Sequence, residues 1–269
     1  MEIKGHRMSK IRWLFAAAVV IGTMAPQTSR AVPAFARQTG MECAACHVGS
    51  FGPQLTQFGR MFKLGGFTMG DNITNPLEHF SAMVYAGYTD VADKLAPGTM
   101  SPPNDRFGRD NTWTIDQASL FYGGKIYGGV GAMLQATYKD PNRSFAWDNS
   151  DIRYADTVDV GGTSLLLGVT LNNNPGVQDA WQGTPAWKFP YLSPTITSTP
   201  SYNPLILGAQ AQKVIGGGVY GLWNDWVYGE LSTYSGFGAG DGRLLGMMGG
   251  DTAARLNNFN PLWPFGASA

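Results

Sequence analysis

Charge is scarce in this chain. Asp, Glu, Lys and Arg make up 14% of its 269 residues, against about 25% in an average soluble protein, which argues against an ordinary cytoplasmic enzyme and against a disordered acidic or basic tail. Cysteine is scarcer still, with two residues, and histidine contributes three. So few soft ligands exclude a disulfide-dense scaffold and an array of zinc modules. Long hydrophobic runs are absent after residue 31, so a bundle of membrane helices is excluded as well, because each would need about 20 apolar residues. Glycine is abundant at 36 residues, aromatics reach 12%, and the mean hydropathy is −0.13. That combination describes a β-rich chain, long enough for one or two domains.

The formal charge of zero conceals an asymmetry. Five of the 19 basic residues and one of the 19 acidic residues precede Val32, so the remainder carries 14 against 18, a net −4. A mildly acidic chain without a basic block has nothing to offer a phosphate backbone, and nucleic acid is set aside as a partner. The basic cluster Lys4, Arg7, Lys10 and Arg12 leads into an apolar run from Trp13 to Met24, followed by Ser29-Arg30-Ala31 as a small-x-small cleavage site. Residues 1–31 therefore read as a secretory signal peptide, with Ala34-Phe35-Ala36 as a second candidate site, and the run is too short for a spanning anchor.

Both cysteines fall within Cys43-Ala44-Ala45-Cys46-His47, the pattern of covalent c-type haem attachment. Residues three apart share one face of a helical turn, so each thiol can bond one of the two vinyl groups along a haem edge, and His47 follows as the proximal iron ligand. Three other readings compete. A disulfide across so short a loop stabilises little, a thioredoxin-like pair wants a βαβ context, and zinc wants four ligands where the chain after residue 31 supplies Cys43, Cys46, His47 and the distant His79. One covalently bound haem c is the preferred cofactor. Downstream, Gly52-Pro53, the stripe Leu55, Phe58, Met61 and Phe62, and Gly65-Gly66 predict a short helix that begins at the proline and lays its apolar stripe on the porphyrin. Residues 32–70 are too few for a core of their own, so the cofactor would be most of it. For the sixth iron ligand the order of preference is Met69, then Met61, then His79, with Met41 also within reach; an open position is equally allowed and would suit gas or peroxide chemistry.

From residue 79 onward the period is two. Phe80, Ala82, Val84, Ala86 and Tyr88 alternate with polar or small residues, as do Val130, Ala132, Leu134, Ala136 and Tyr138 against Gly131, Met133, Gln135 and Thr137, and Leu165, Leu167, Val169 and Leu171 against Ser164, Leu166, Gly168 and Thr170. Further strands are expected over 113–123, 148–157, 205–214, 219–223 and 226–234, about eight in all and each about ten residues or fewer, with turns at Gly128-Gly129, Gly161-Gly162 and Asn224-Asp225. One face is apolar, the other is Ser, Thr, Gln, Asn and Gly, and aromatics sit near strand ends at Tyr88, Tyr138, Trp223 and Trp226. An outer-membrane-type antiparallel β-barrel over 79–269 is therefore favoured over a soluble sandwich. Asn149, Asp151 and Arg153 are expected in a hydrated lumen, with Ile152 and Tyr154 facing lipid. The connection over 172–203 is long and Pro-rich and is expected on the cell exterior; Trp181, Trp187 and Tyr191 in it suit a docking surface or, preferably, packing of the loop on itself.

The segment Val32-Pro33-Ala34-Phe35-Ala36-Arg37-Gln38-Thr39-Gly40 before Cys43, with Leu55, Phe58-Gly59-Arg60 and Phe62-Lys63-Leu64 after it, resembles the fused cytochrome-porins of the bacterial outer membrane. The resemblance covers residues 32–67 closely and the remainder only in architecture. It implies a monohaem segment ahead of a porin-like barrel, with Cys43 and Cys46 as attachment sites and His47 as axial ligand, in a family whose members are implicated in oxidising extracellular ferrous iron. The barrels of that family are larger than the strands counted here and commonly finish on an aromatic residue. An eight-stranded closed barrel is filled by its own side chains, which leaves an incomplete barrel, an assembly of several copies, or a haem segment capping an open sheet. The function so implied is exported one-electron transfer at the outer membrane, from an extracellular or outer-membrane donor such as ferrous iron to a periplasmic redox protein. Such a chain is an electron carrier more than a classical enzyme, at most an iron:cytochrome oxidoreductase, with the haem segment periplasmic or at the barrel mouth. The alternatives are a haem sensor or peroxidase-like protein with an open iron site, and a porin with a structural haem plug.

Overall fold

The computed structural model describes residues 32–70, 73–90, 111–139, 144–194, 196, 201–204, 206 and 210–236. The expected signal peptide and the segment after Gly236 lie outside the described residues. Three short helices come first: α1 (Pro33–Thr39), α2 (Cys43–Cys46) and α3 (Gln57–Leu64). Seven strands follow: β1 (Phe80–Thr89), β2 (Thr112–Tyr127), β3 (Val130–Lys139), β4 (Ser144–Val160), β5 (Thr163–Asn172), β6 (Val214–Trp223) and β7 (Val227–Gly236). They form one antiparallel sheet in strict sequence order. The chain is thus mainly β. Among the described residues β1 and β7 do not pair with each other.

Two strand expectations differ from the structure. Of the stretch 205–214, residues 206 and 210–213 are helical or turn, residues 205 and 207–209 lie outside the described residues, and β6 begins only at Val214. Strands β2 and β4 are also longer than expected, at 16 and 17 residues. Strand β4 is long because both of its ends are paired, Ser144 with Lys139 of β3 and Val160 with Thr163 of β5. The turns fall where glycine and asparagine predict them. Gly128, Gly161, Gly162, Asn224 and Asp225 all have positive φ, the backbone that two-residue hairpins need. All three tight turns lie at one end of the sheet. The three longer connections, β1 to β2, β3 to β4 and β5 to β6, lie at the other.

The two faces of the sheet are inverted relative to a water-soluble protein. Residues 32–70 and the start of the β5–β6 connection cover one face, and that face carries the polar side chains: Thr114, Asp116, Ser119, Thr137, Asp151, Arg153, Thr170 and Asn172 are all buried. The open face carries apolar ones, including Val84, Leu120, Leu167, Val169, Val219 and Leu231, with Leu120 58% and Leu231 71% exposed. Soluble monomers rarely expose a contiguous apolar area of more than a few hundred Å². Aromatics border the open face at both ends, with Tyr88 and Trp113 in ring contact at 5.2 Å near the long connections and Tyr127, Trp223 and Trp226 exposed near the tight turns.

Around β4, where a hydrated lumen is expected, the covered face holds buried polar side chains. The parity is as expected, with Ile152 and Tyr154 on the open face, but Asp151 and Arg153 are completely buried. Arg153 Nε donates to Asp151 Oδ2 at 2.8 Å and Nη2 to the carbonyl of Val177 at 3.1 Å, and Thr170 donates to Asp151 Oδ1 at 2.7 Å. The guanidinium lies 5.2 Å from the Tyr220 ring and 5.8 Å from that of Phe67. This pair therefore ties the sheet to both elements that cover it.

Candidate functional site

The site is assembled by short-range capping and then fixed to the sheet. Pro33 opens α1, where its missing N–H costs nothing, and Gly40 closes it at φ 71°. Gln38, nearly fully buried, faces the sheet. Its Nε2 donates to the carbonyls of Phe67 and Met69 at 2.7 and 3.0 Å, and its Oε1 accepts from the Lys125 N–H at 3.0 Å. Phe35 leans on Gly123 of β2, where an added Cβ would press on its ring. Its ring stands 5.0 Å from Phe62 and 5.4 Å from Phe67, which makes an aromatic trio on the covered face.

Helix α2 is a single turn, closed when the N–H of His47 donates to the Cys43 carbonyl at 2.8 Å. Both cysteines are half-buried thiols that no disulfide joins. Thr56 caps α3 by accepting from the Gly59 N–H at 3.2 Å, and its own N–H donates to the Cys46 carbonyl at 2.9 Å, so one residue starts α3 and docks it on α2. Gly59 lies so close to the Cys46 backbone that a Cβ would overlap it. The helix expected from Pro53 thus begins four residues later: Pro53 lies in the bend that precedes it, while Gly65 and Gly66 end it as expected.

Cys43, Cys46 and His47 open on one cavity of about 110 Å³. The apolar part of its lining includes Phe35, Met41, Leu55, Phe62, Phe67, Met133 and Val177, and the polar part Thr39, Glu42, Lys63 and Gln182. The stripe predicted to face the porphyrin therefore splits. Leu55 and Phe62 line the cavity, whereas Met61 packs with Leu64, Leu166 and Tyr220 on the other side of α3. Of the candidates for the sixth ligand, Met69 is 42% exposed and Met61 turns away; neither lines the cavity. His79 lies within hydrogen-bond distance of the Gly123 carbonyl, 3.1 Å from Nδ1, and against the Tyr122 ring, outside the lining. Met41 does line it, at an exposed rim.

Burial pushes the His47 imidazole below its usual pKa, against an opposing pull from the backbone of Gly52 and Gln54, and its Nδ1 is buried with no hydrogen-bond partner among the described residues. A neutral imidazole is the form that ligates a metal. Burial, and then the neighbouring Cys43, pushes the Cys46 thiol up. Reactive redox cysteines are shifted the other way. Among the described residues no group of three or more His, Cys, Asp or Glu is placed to hold a metal ion, so Cys43, Cys46 and His47 do not converge as a zinc site would.

Lys63 also lines the cavity, although the motif Phe62-Lys63-Leu64 assigned it no role of its own. It is fully buried, donates from Nζ to the Asp179 carbonyl at 2.8 Å and to Gln182 Oε1 at 3.1 Å, and has its pKa lowered to about 7, chiefly by burial. Asp179 and Gln182 belong to the β5–β6 connection, which returns over the site. Trp181 gives its carbonyl to the Leu55 N–H at 3.0 Å and lies 5.7 Å from the Arg60 guanidinium, and Gln182 donates to the Pro53 carbonyl at 3.0 Å. Both tryptophans make contacts within the chain: Trp187 packs the loop on itself through the Gly176 carbonyl at 3.1 Å, and Trp181 packs on the thiol-bearing segment.

The donor set fits a covalently held haem in kind: two thiols from one helical turn, a neutral imidazole next in sequence, and an apolar lining. The enclosed space is smaller than the about 300–1,000 Å³ of sites that surround a whole small molecule. A group as large as a porphyrin would be covered over part of its surface only. No protein-family model matches the chain, and no curated protein or solved structure matches it either.

Proposed function

We propose that the chain is an exported monohaem c-type cytochrome whose β-sheet is embedded in the outer membrane, of the kind that the cytochrome-porin resemblance of residues 32–67 implies. The observation that carries this reading is that Cys43, Cys46 and His47 face one apolar-lined cavity between their own segment and the sheet. When bound, haem c supplies a one-electron iron couple. Cys43 and Cys46 would anchor the group, His47 would be its proximal ligand, and Phe35, Leu55, Phe62 and Phe67 would keep water from the covered part of the ring. The inverted faces of the sheet, its two aromatic borders and its sorting of short and long connections to opposite ends support a membrane setting. In such barrels the tight turns are periplasmic. Gly66 packs against Gly129 and Gly131 beside the first tight turn, which supports a thiol-bearing segment near the periplasmic side, within reach of a periplasmic redox protein.

The donor, ferrous iron or another extracellular reductant, rests on the family resemblance alone. The reading is tested by purifying the protein from membranes and titrating it potentiometrically. It predicts haem that survives acid-acetone extraction, a single reversible one-electron wave, and loss of both in Cys43→Ala/Cys46→Ala. Haem that extracts freely, or no redox wave, contradicts it.

A further inference from the structure

We propose that the thioether of Met133, on β3, is the second axial ligand of the iron; the inference rests on the haem reading above and names a residue for it. Among the described residues, Met133 and Met41 are the methionines that line the cavity holding Cys43, Cys46 and His47. A second ligand must approach the iron from the ring face opposite the histidine. Met41 starts two residues ahead of the first thiol, on the attachment edge itself, whereas Met133 comes from a separate element, the sheet that forms the far wall.

Its surroundings suit that role. Along β3 the covered face reads Gly131, Met133, Gln135 and Thr137, and the last two are engaged in a polar network with Ser119 and Asp148. Met133 is the one flexible apolar side chain in that row. It is half-buried and stands between Gly123 of β2 and Asp151 of β4 in the register. Gly123 adds no side chain beside it, and Phe35 and Phe67 border the same cavity. A long unbranched thioether in such a niche can move to meet a metal without rearrangement of the sheet. Binding donates a sulfur lone pair to the iron and breaks no covalent bond.

The test is near-infrared magnetic circular dichroism of the ferric protein, after covalent haem has been verified by acid-acetone extraction, on the natural chain and on Met133→Leu, Met133→His, Met61→Leu and Met69→Leu. The proposal predicts a thioether-to-iron charge-transfer band in the natural chain, in Met61→Leu and in Met69→Leu. It predicts loss of that band in Met133→Leu, whose reduced form then binds carbon monoxide. Met133→His should show a bis-imidazole signature and a lowered reduction potential, and it decides the matter should the leucine variant fail to fold. Persistence of the band in Met133→Leu or Met133→His, or its absence from the natural chain, overturns the ligand assignment while the haem reading stands. Absence of covalent haem from the natural chain overturns both.

Discussion

Gly59 is the tightest point in the segment that bears the thiols, because α3 crosses α2 with no room for a Cβ against the Cys46 backbone. The obstruction is main chain, so no rotamer change relieves it. Gly59→Ala should lower stability by about 1–3 kcal/mol, the usual cost of overpacking, measurable as a reduced denaturant midpoint; an unchanged midpoint would mean that α2 and α3 are not in contact. Lys63 gives a pH dependence of definite sign. Its pKa is 10.5 when unfolded and about 7 when folded, so between these values the unfolded chain binds the extra proton and stability rises with pH. The gain is complete above about pH 10.5 and is lost as pH falls through about 7. Lys63→Met should remove that slope in unfolding measurements across the window, and an identical slope in the variant would assign it elsewhere. At this scale the grouping of Cys43, Cys46 and His47 on one cavity was legible, because their spacing is that of one helical turn. Lys63 and Met133 were not legible as site residues. Nothing in their own neighbourhoods marks them, although a methionine among Gly, Gln and Thr on the covered face of β3 was the available signal.

Two buried polar side chains hold the elements together, and neither could be assigned a partner from the sequence. Gln38 satisfies three backbone groups from two other segments. Gln38→Ala removes these bonds; the one to the Phe67 carbonyl is buried, and leaving that group unsatisfied should cost about 1–3 kcal/mol, seen first as protease cleavage within residues 32–70. Unchanged protection would show that α1 docks by its apolar contacts alone. Arg153→Leu leaves the Asp151 carboxylate buried without its guanidinium and should cost about 3–5 kcal/mol. Arg153→Leu/Asp151→Asn should recover part of that loss in chemical denaturation, and a double variant no better than the single would contradict the pairing. The strands themselves were legible from period-two alternation and glycine turns, because each records a local choice between two faces. The described part of 205–214 differs for the same reason: Ile206 and Ala211 suit a strand in composition, but a turn through Lys213 precedes β6. Likewise Pro53 imitates a helix start, but Thr56 supplies the cap.

At the scale of the molecule, the covered face of the sheet holds most of its buried polar side chains beside an apolar cluster of Leu166, Tyr220 and Leu222 under Leu64, and the open face is apolar. Leu167 lies at the middle of β5 on the open face, 47% exposed. If that face meets lipid, Leu167→Arg should cost about 2–4 kcal/mol when unfolding is measured in bilayers; no loss would place the face in water. The return of the β5–β6 connection over the thiols was not legible, because it depends on Lys63, Gln182 and Trp181 meeting across more than a hundred residues. The central claim, a haem bonded to the short helix that this sheet and connection enclose, is tested most directly by mass spectrometry of the proteolytic peptide containing Cys43 and Cys46. The account predicts the mass of one haem added to that peptide and none in Cys43→Ala/Cys46→Ala. An unmodified peptide from protein matured in a haem-attaching host would contradict it.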